Sequence, residues 1–544
     1  MHPEDVVKLF DAIKTASAAR CIWIGHNLKF EQKWIWFFHQ IELWPIFDTW
    51  RASCLIYNGV MTQKHNLYAA WEKYLGVLPM SPDLGGSGWL GALSEAQYDY
   101  AAEDVIYLHR LRDVQKNLLQ QYSLNKIALI EFDAIQADAE VELNGFPIDQ
   151  KMWRKVADKN VIARDNFAKE LVKELPPPTK QLFMFDHTGI NLESPKDLLL
   201  SLRKLGLTQK VQIGDTDQFQ VVELQDTSEL TLSAYTDTQP LVKKLLDYRE
   251  KSTQLKTFGY EYLEHVRKDT GRLHSNFYPF TGAGRYSVKE PQTHNIPRNK
   301  EFRACFKPPP GYVFIIADFS GIEMRVIAEL SRDKELIKVF NHPTDNDIHK
   351  ATASFLLDLP YASITKPKKQ MAKPVNFGLG FGMGHKKLAV YSKANYGVAM
   401  TEEEAFKWKK RFFQKYAGIK KWHYAHLEKF RREGLVRTIG GRLRYLQPDA
   451  FSDVFSTTVS GTATGDALKI ALKLALKRLR KFDGKARIVH HVHDEIIVEC
   501  QEDPELVKQV EQTLRESMIE AMRNFVQVVP TLVEIGIGDS WADK

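Results

Sequence analysis

Residues 365–384 read TKPKKQMAKPVNFGLGFGMG and set Lys369, Lys373, Phe377 and Phe381 four apart, so a helix carries all four on one face. Lysines in opening turns ordinarily face water, and phenylalanines at this spacing ordinarily face a core. The wording of the second half argues otherwise. NFGLGFGMG places four glycines within seven residues, and each would weaken a helix meant only for packing. Bare backbone invites close approach by another molecule. Two cations leading into two rings suit a ligand with phosphates at one end and a flat base at the other, which describes a nucleotide.

Outward from this stretch, two apolar, β-branched runs are interrupted by acid. YVFIIADFSGIEMR ends a buried strand pattern at Asp318, and RIVHHVHDEIIVEC sets Asp494 and Glu495, after His493, between two such runs. Carboxylates between buried strands are costly unless paired or bound to metal. A turn-capping aspartate or a polar hairpin would explain either one alone.

The rest of the chain supplies organisation. Residues 1–122 mix short apolar runs with helical patterns, which predicts a compact α/β unit ending in a long helix. A helical segment follows and ends at ELNGFPID, where Asn144-Gly145 reads as a turn. KELPPPTKQL breaks the pattern, 207–240 is expected to be strand and loop, and PLVKKLLDYREKSTQLKTFGYEYLEHVRK reads as a long basic amphipathic helix. In KIALKLALKRLRK, Lys469, Lys473 and Lys477 share one face, read as solvated, with a DNA-facing role as the alternative.

With 544 residues, 44% hydrophobic and 26% charged, the chain has the composition of a soluble globular protein of several domains. Lys plus Arg (75) exceeds Asp plus Glu (68) by seven, which permits nucleic-acid binding without requiring it. Cys21, Cys54, Cys305 and Cys500 stand far apart without a CxxC, which argues against zinc and disulfides and for a reducing compartment. The opening residues lack a signal-peptide core and IWFFHQIELWPIF is too interrupted to span a bilayer, so a soluble, cytoplasmic protein with no membrane partner is expected.

Taken in order, DFSGIEMR, KKQMAKPVNFGLGFG and HVHDEIIVE resemble motifs A, B and C of family A DNA polymerases, and TGAGRYS, HNIPRN and DIHKATAS extend the likeness. It is greatest to bacterial DNA polymerase I and its phage relatives, and a phage member is expected. The resemblance implies an α/β and α+β multidomain chain: a right hand of palm, fingers and thumb behind a truncated RNase H-like 3′-5′ exonuclease domain. The expected divisions are 1–122 for the exonuclease-like part and 123–544 for the polymerase. Within the latter, the thumb is placed at about 150–290, the palm at about 291–335 and 430–544, and the fingers at about 336–429.

The same resemblance assigns roles. Asp318 and Asp494 would hold two Mg²⁺ ions, with Mn²⁺ as a substitute, and Glu495 would support them; hard oxygen ligands suit this ion. Lys369, Lys373 and His349 would meet the triphosphate, with Lys373 able to protonate pyrophosphate. Phe377 would stack on base or sugar, where Phe disfavours dideoxynucleotides, and Phe381 would lie near the templating base. Glu323 would exclude a 2′-hydroxyl, and Arg285 would reach the primer-end minor groove, with Asn295 and His493 also on the primer-template side. Implied partners are primer-template DNA and dNTPs; a processivity partner is not named, and a monomer is expected. A related single-subunit RNA polymerase and a catalytically inactive DNA-binding relative are the alternatives.

Departures from the family pattern are Lys369 in place of an arginine, which exchanges a bidentate fork for a point charge, and Gly321, His294 and Ser460 in place of glutamines. Pro374 is expected to kink or restart its helix. GHNLKFEQKW and YAAEDVIYLH resemble the second and third exonuclease motifs through Asn27, Glu31, Tyr100 and Asp104, but Glu31 replaces an aspartate and the opening DxE is absent. Loss of proofreading is the expectation.

Overall fold

The structure is a computed structural model and describes residues 3–80, 84–89, 91–178, 190–212 and 219–544. At its centre lies a four-stranded antiparallel sheet in the order Ala486–Val492, Glu495–Gln501, Tyr312–Phe319, Val533–Gly538. The run YVFIIADF is apolar at successive positions because both faces of its strand are covered. Val313, Ile315, Ala317 and Phe319 enter one core with the helices Leu468–Leu479 and Pro504–Arg523. Phe314 and Ile316 enter a second core with Phe146, Trp153, Phe302 and Trp541. Register places Asp318 opposite Glu495 on one side and Glu534 on the other. Asp494 falls in the hairpin between the first two strands, after His493 at φ 55°.

The decisive stretch forms one helix, Lys366–Gly380, which passes through Pro374 without restarting. Of the expected kink or restart at Pro374, the restart does not occur: buried Ala372, Val375 and Leu379 fix the helix on both sides of the proline, and this packing outweighs the lost hydrogen bond. Beside it stand the helices Ile348–Leu357 and His385–Tyr396.

Long helices Gln150–Glu174 and Pro240–Phe258 pair, and leucines from 171–245 form a separate core. The second of these stops at Gly259 and continues as a 3-10 turn, shorter than the pattern suggested. In the 207–240 stretch, Thr208–Gln212 pairs with Phe219–Glu223 and a short helix Glu229–Ser233 follows; 213–218 lie outside the described residues.

The N-terminal part contains two short parallel strands, Trp23–Gly25 and Ile46–Asp48, with helices around them. Its closing helical run is divided at Tyr107 into Glu95–Ile106 and Leu108–Gln121, so the single long helix suggested by the sequence is two. Leu28, Leu43, Leu55 and Ile56 share a core with Ile127, Phe132 and Ile135 of the helix Asn125–Asn144 and with Leu443.

The solvated-face reading of Lys469, Lys473 and Lys477 is corrected at Lys469. Its side chain is fully buried, its ammonium paired with Glu131, while Lys473 pairs with Asp133. Periodicity placed the three on one face, but a distant loop and helix cover one end of that face. All four cysteines are unpaired thiols. No described helix is long and apolar enough to cross a membrane.

Candidate active site

A cleft of about 650 Å³ opens where the sheet meets the helix Lys366–Gly380. Asp318, Asp494, Glu323, His349, Lys373 and Phe377 line it, brought together from segments far apart in sequence. Phe381, Arg285, His493 and Glu495 line it too. The strand end delivers Asp318, and Gly321 then adopts φ 59°, a left-handed conformation that turns the chain into the helix Ile322–Ser331 carrying Glu323. The hairpin holds Asp494 against this turn, its carbonyl accepting from the Phe319 N–H at 3.3 Å.

Electrostatics mark the site as short of cations. Burial, then the neighbouring Asp318 and Glu323 carboxylates, push Asp494 up to about 8. Asp318 is likewise raised by burial, against the pull of Lys544. The Lys544 ammonium donates to Asp318 Oδ2 and Glu495 Oε2, both at 2.7 Å, and so stands where positive charge is needed. Two converging hard-oxygen carboxylates with raised pKa fit a divalent ion. Among the described residues no group of three or more His, Cys, Asp or Glu is arranged to hold a metal. Glu495 is buried and also accepts from Trp541 Nε1 at 2.6 Å, which ties it to the scaffold.

On the helical wall, Lys373 reaches the cleft, whereas Lys369 is not among the residues lining it and is ion-paired with Asp347. Burial holds the His349 imidazole neutral, down to about 4. Asn376 Nδ2 lies 2.8 Å from His349 Nδ1 while Asn376 Oδ1 accepts from Thr352 Oγ1. That pairing makes Nδ1 the acceptor and leaves the imidazole proton on Nε2. The Phe377 ring is half-buried, 5.2 Å from the His349 ring, and both Phe377 and Phe381 also pack on the core. Ser460 Oγ donates to Glu323 Oε1 at 2.6 Å and fixes that carboxylate. Arg285 Nη2 lies 3.3 Å from His493 Nδ1, and burial and the nearby arginines bring His493 down to about 4. Asn295 sits exposed in a turn and does not line the cleft.

Sequence reasoning missed Lys544, Arg298, Arg303, Tyr391 and Tyr396, all lining the cleft. Arg298 stood inside the quoted HNIPRN. Lys544 had no local signal, because the turn after the strand Val533–Gly538, which folds the last residues back alongside that strand, is what brings it there.

In the N-terminal part, Asn27 adopts φ 69° and its N–H donates to Asp48 Oδ1 at 3.3 Å. Asp48 also accepts from Leu28 and Arg51 N–H groups, so it is a cap and anchor. Glu31 is exposed on the helix Lys29–His39, and Tyr100 and Asp104 lie on Glu95–Ile106, where Tyr100 meets Tyr68 and Trp89.

Comparison with known proteins bears on both parts. Residues 163–543 match the model of DNA polymerase family A, and residues 7–120 match that of 3′-5′ exonuclease. The DNA polymerase I of Aquifex aeolicus is 30% identical over 95% of this chain and 87% of its own length. That of Pseudomonas aeruginosa is 29% identical over 88% of this chain and 52% of its own, and that of Thermus aquaticus 32% over 68% and 44%. The chain therefore spans about half the length of the latter two. Among solved structures, the POL domain of Pol1 from M. smegmatis, in complex with DNA primer-template and dNTP, superposes with a TM-score of 0.74 at 25% identity, covering 91% of this chain and 82% of that one. The chain belongs to family A of the DNA polymerases: it is a DNA-directed DNA polymerase whose catalytic part follows a 3′-5′ exonuclease-family segment.

Proposed function

We propose that the cleft adds dNTPs to a primer 3′-hydroxyl through two Mg²⁺ ions held by Asp318 and Asp494, and that the chain does not proofread. The observation that carries the synthetic activity is the convergence of Asp318, Asp494, His349, Lys373, Phe377 and Glu323 on one cavity. Asp318 and Asp494 would hold the divalent ions, whose chemistry when bound would be to lower the pKa of the attacking hydroxyl and to offset charge on the leaving oxygens.

The chain's own groups do the rest. Lys373 neutralises the triphosphate and gives a proton to departing pyrophosphate. His349 donates through Nε2–H to a phosphate oxygen. Lys369 joins them once it leaves Asp347, and that exchange makes its contribution the smaller of the two lysines. Phe377 supports base and sugar, and Phe381 borders the templating base. Glu323, held by Ser460, occupies the space a 2′-hydroxyl would need. Arg285 and His493 meet the primer end, with Asn295 nearer the solvent edge. The same reading places the protein as a monomer in the cytoplasm, that of a host if a phage encodes it.

Extension of a primer with a labelled 3′ mismatch, supplied with dNTPs or NTPs, tests the proposal. It predicts extension with dNTPs, poor use of NTPs and no removal of the mismatch; equal use of both nucleotide classes would refute the Glu323 assignment.

A further inference from the structure

We infer that Lys469 is a positioning residue for polymerisation, holding the loop 279–285 so that Arg285 enters the cleft on the primer side. The inference rests on the role proposed above for Arg285.

Lys469 is fully buried on the helix Leu468–Leu479, and its ammonium has three acceptors: Glu131 Oε1, the Pro279 carbonyl at 3.1 Å and the Gly284 carbonyl at 2.8 Å. Three N–H donors are thereby satisfied for a side chain that is fully buried. Two of the acceptors are the ends of the loop that leads into Arg285. The loop is closed on itself, with the Thr281 N–H and Oγ1 both donating to the Arg285 carbonyl at 3.1 and 2.9 Å.

Below it runs a π-helical turn, Gly461–Ala467, immediately before the helix that carries Lys469. A Cβ on Gly461 would stand 2.7 Å from the Ala283 carbonyl, and one on Gly465 would stand 3.1 Å from both the Ala283 and Gly284 carbonyls. The two glycines let the loop lie directly on the helix. Wider π turns inside α-helices recur at functional sites, and Thr464 of this turn lines the cleft.

An ammonium so deeply buried needs a counter-charge. Glu131 supplies it and also pairs with Arg51 and Arg442; Arg442 pairs with Asp466, and Arg51 with Asp138. Three cations meet three carboxylates, each with a side chain no more than 1% exposed. Lys469 thus joins the loop to the charge network at the junction with the N-terminal part, while itself standing outside the cleft lining. Arg285, one residue past the held carbonyl, reaches His493 inside it.

The test compares the unaltered chain with K469M, K469M/E131Q, G465A, R285A and K469M/R285A, reading primer-template half-saturation, the single-nucleotide rate constant and the melting temperature. K469M/E131Q removes one charge of each sign, so two cations still face two carboxylates and the buried charge stays balanced, with the melting temperature reporting whether the fold is kept. G465A presses on the loop carbonyls without touching a charge. The expected result is an about tenfold rise in primer-template half-saturation in K469M/E131Q, the scale of losing a charge-assisted contact, with dNTP half-saturation little changed. G465A should shift the same quantity in the same direction. Adding K469M to R285A should cost less than about twofold more, because the two act through one contact. Unchanged half-saturation in K469M/E131Q and G465A, or fully additive losses with R285A, would overturn the inference. A wild-type R285A beside a defective K469M would instead fault the reading of Arg285 and leave Lys469 a purely structural residue.

Discussion

Replacing Arg51 with alanine should destabilise the whole chain, because this residue of the N-terminal part is held by buried carboxylates of the helix Asn125–Asn144. Its guanidinium is 1% exposed, donating to the Glu131 carbonyl and to Asp138 Oδ2, each at 2.6 Å. Without it Asp138 keeps the Tyr286 hydroxyl at 2.6 Å but loses its cation, in a site where burial already raises its pKa. Removing one partner of a buried ion pair costs about 3–5 kcal/mol. Water entering the vacated volume relieves part of that, so we expect about 3 kcal/mol, a large share of the ~5–15 kcal/mol that holds a typical domain. Urea unfolding followed by tryptophan fluorescence reads this across the chain's eleven tryptophans, among them neighbouring Trp50, which packs edge-on to Tyr278 and Phe280 at 5.5 and 5.3 Å. Asp138→Asn in the Arg51→Ala background removes the stranded charge and should recover about 1–2 kcal/mol. A loss below about 0.5 kcal/mol in Arg51→Ala, or no recovery in the double variant, would mean that the junction is wet and loosely held.

Phe377→Tyr should raise dideoxynucleotide incorporation relative to dNTP in direct competition, by supplying a hydroxyl at the sugar; an unchanged ratio would make the ring a packing element alone. Burial keeps His294 down at about 4 and His490 and His491 well below their ordinary value. They stay neutral in the fold but take up protons below about 6.5 once unfolded, so their contribution is complete above that pH and is lost as pH falls toward 4, at up to ~1.4 kcal/mol per pH unit for each. Stability measured at pH 7.5 and 5.5 should fall less in His490→Leu than in the unaltered chain, and equal falls would show that His490 is protonated in the fold. Incubation with 3′-labelled single-stranded DNA and Mg²⁺ or Mn²⁺, without nucleotides, should leave the label in place, whereas stepwise shortening abolished by Asp104→Ala would reveal a working exonuclease.

Much of the site was legible because its signals are local. YVFIIADF reads as a strand covered on both faces, and the acid at its end has few uses other than chemistry or capping. The helix through Lys373 and Phe377 was equally plain from spacing, with glycines marking close approach. What failed was whatever depended on partners far along the chain. Lys469 shares a face with Lys473 and Lys477, yet only the loop 279–285 and Glu131 decide that it is buried. The pairing of Lys369 with Asp347, from the preceding segment, likewise carried no signal in the spacing. Pro374 breaks a local rule that buried neighbours override. Tyr107 divides a run whose periodicity continues on both sides of it.

Single-turnover addition of one nucleotide to a 5′-labelled primer, with Mg²⁺, by the unaltered chain and by Asp318→Ala and Asp494→Ala, bears most directly on the claim that this cleft performs template-directed synthesis. Each carboxylate is assigned several kcal/mol of transition-state stabilisation, so each variant should be slower by about a thousandfold or more, at about tenfold per 1.36 kcal/mol. Primer-template binding should persist in both, since it rests chiefly on phosphate contacts, and should weaken with added salt. Correct nucleotide addition within about tenfold of the unaltered rate in either variant would contradict the account and remove that carboxylate from the reacting centre.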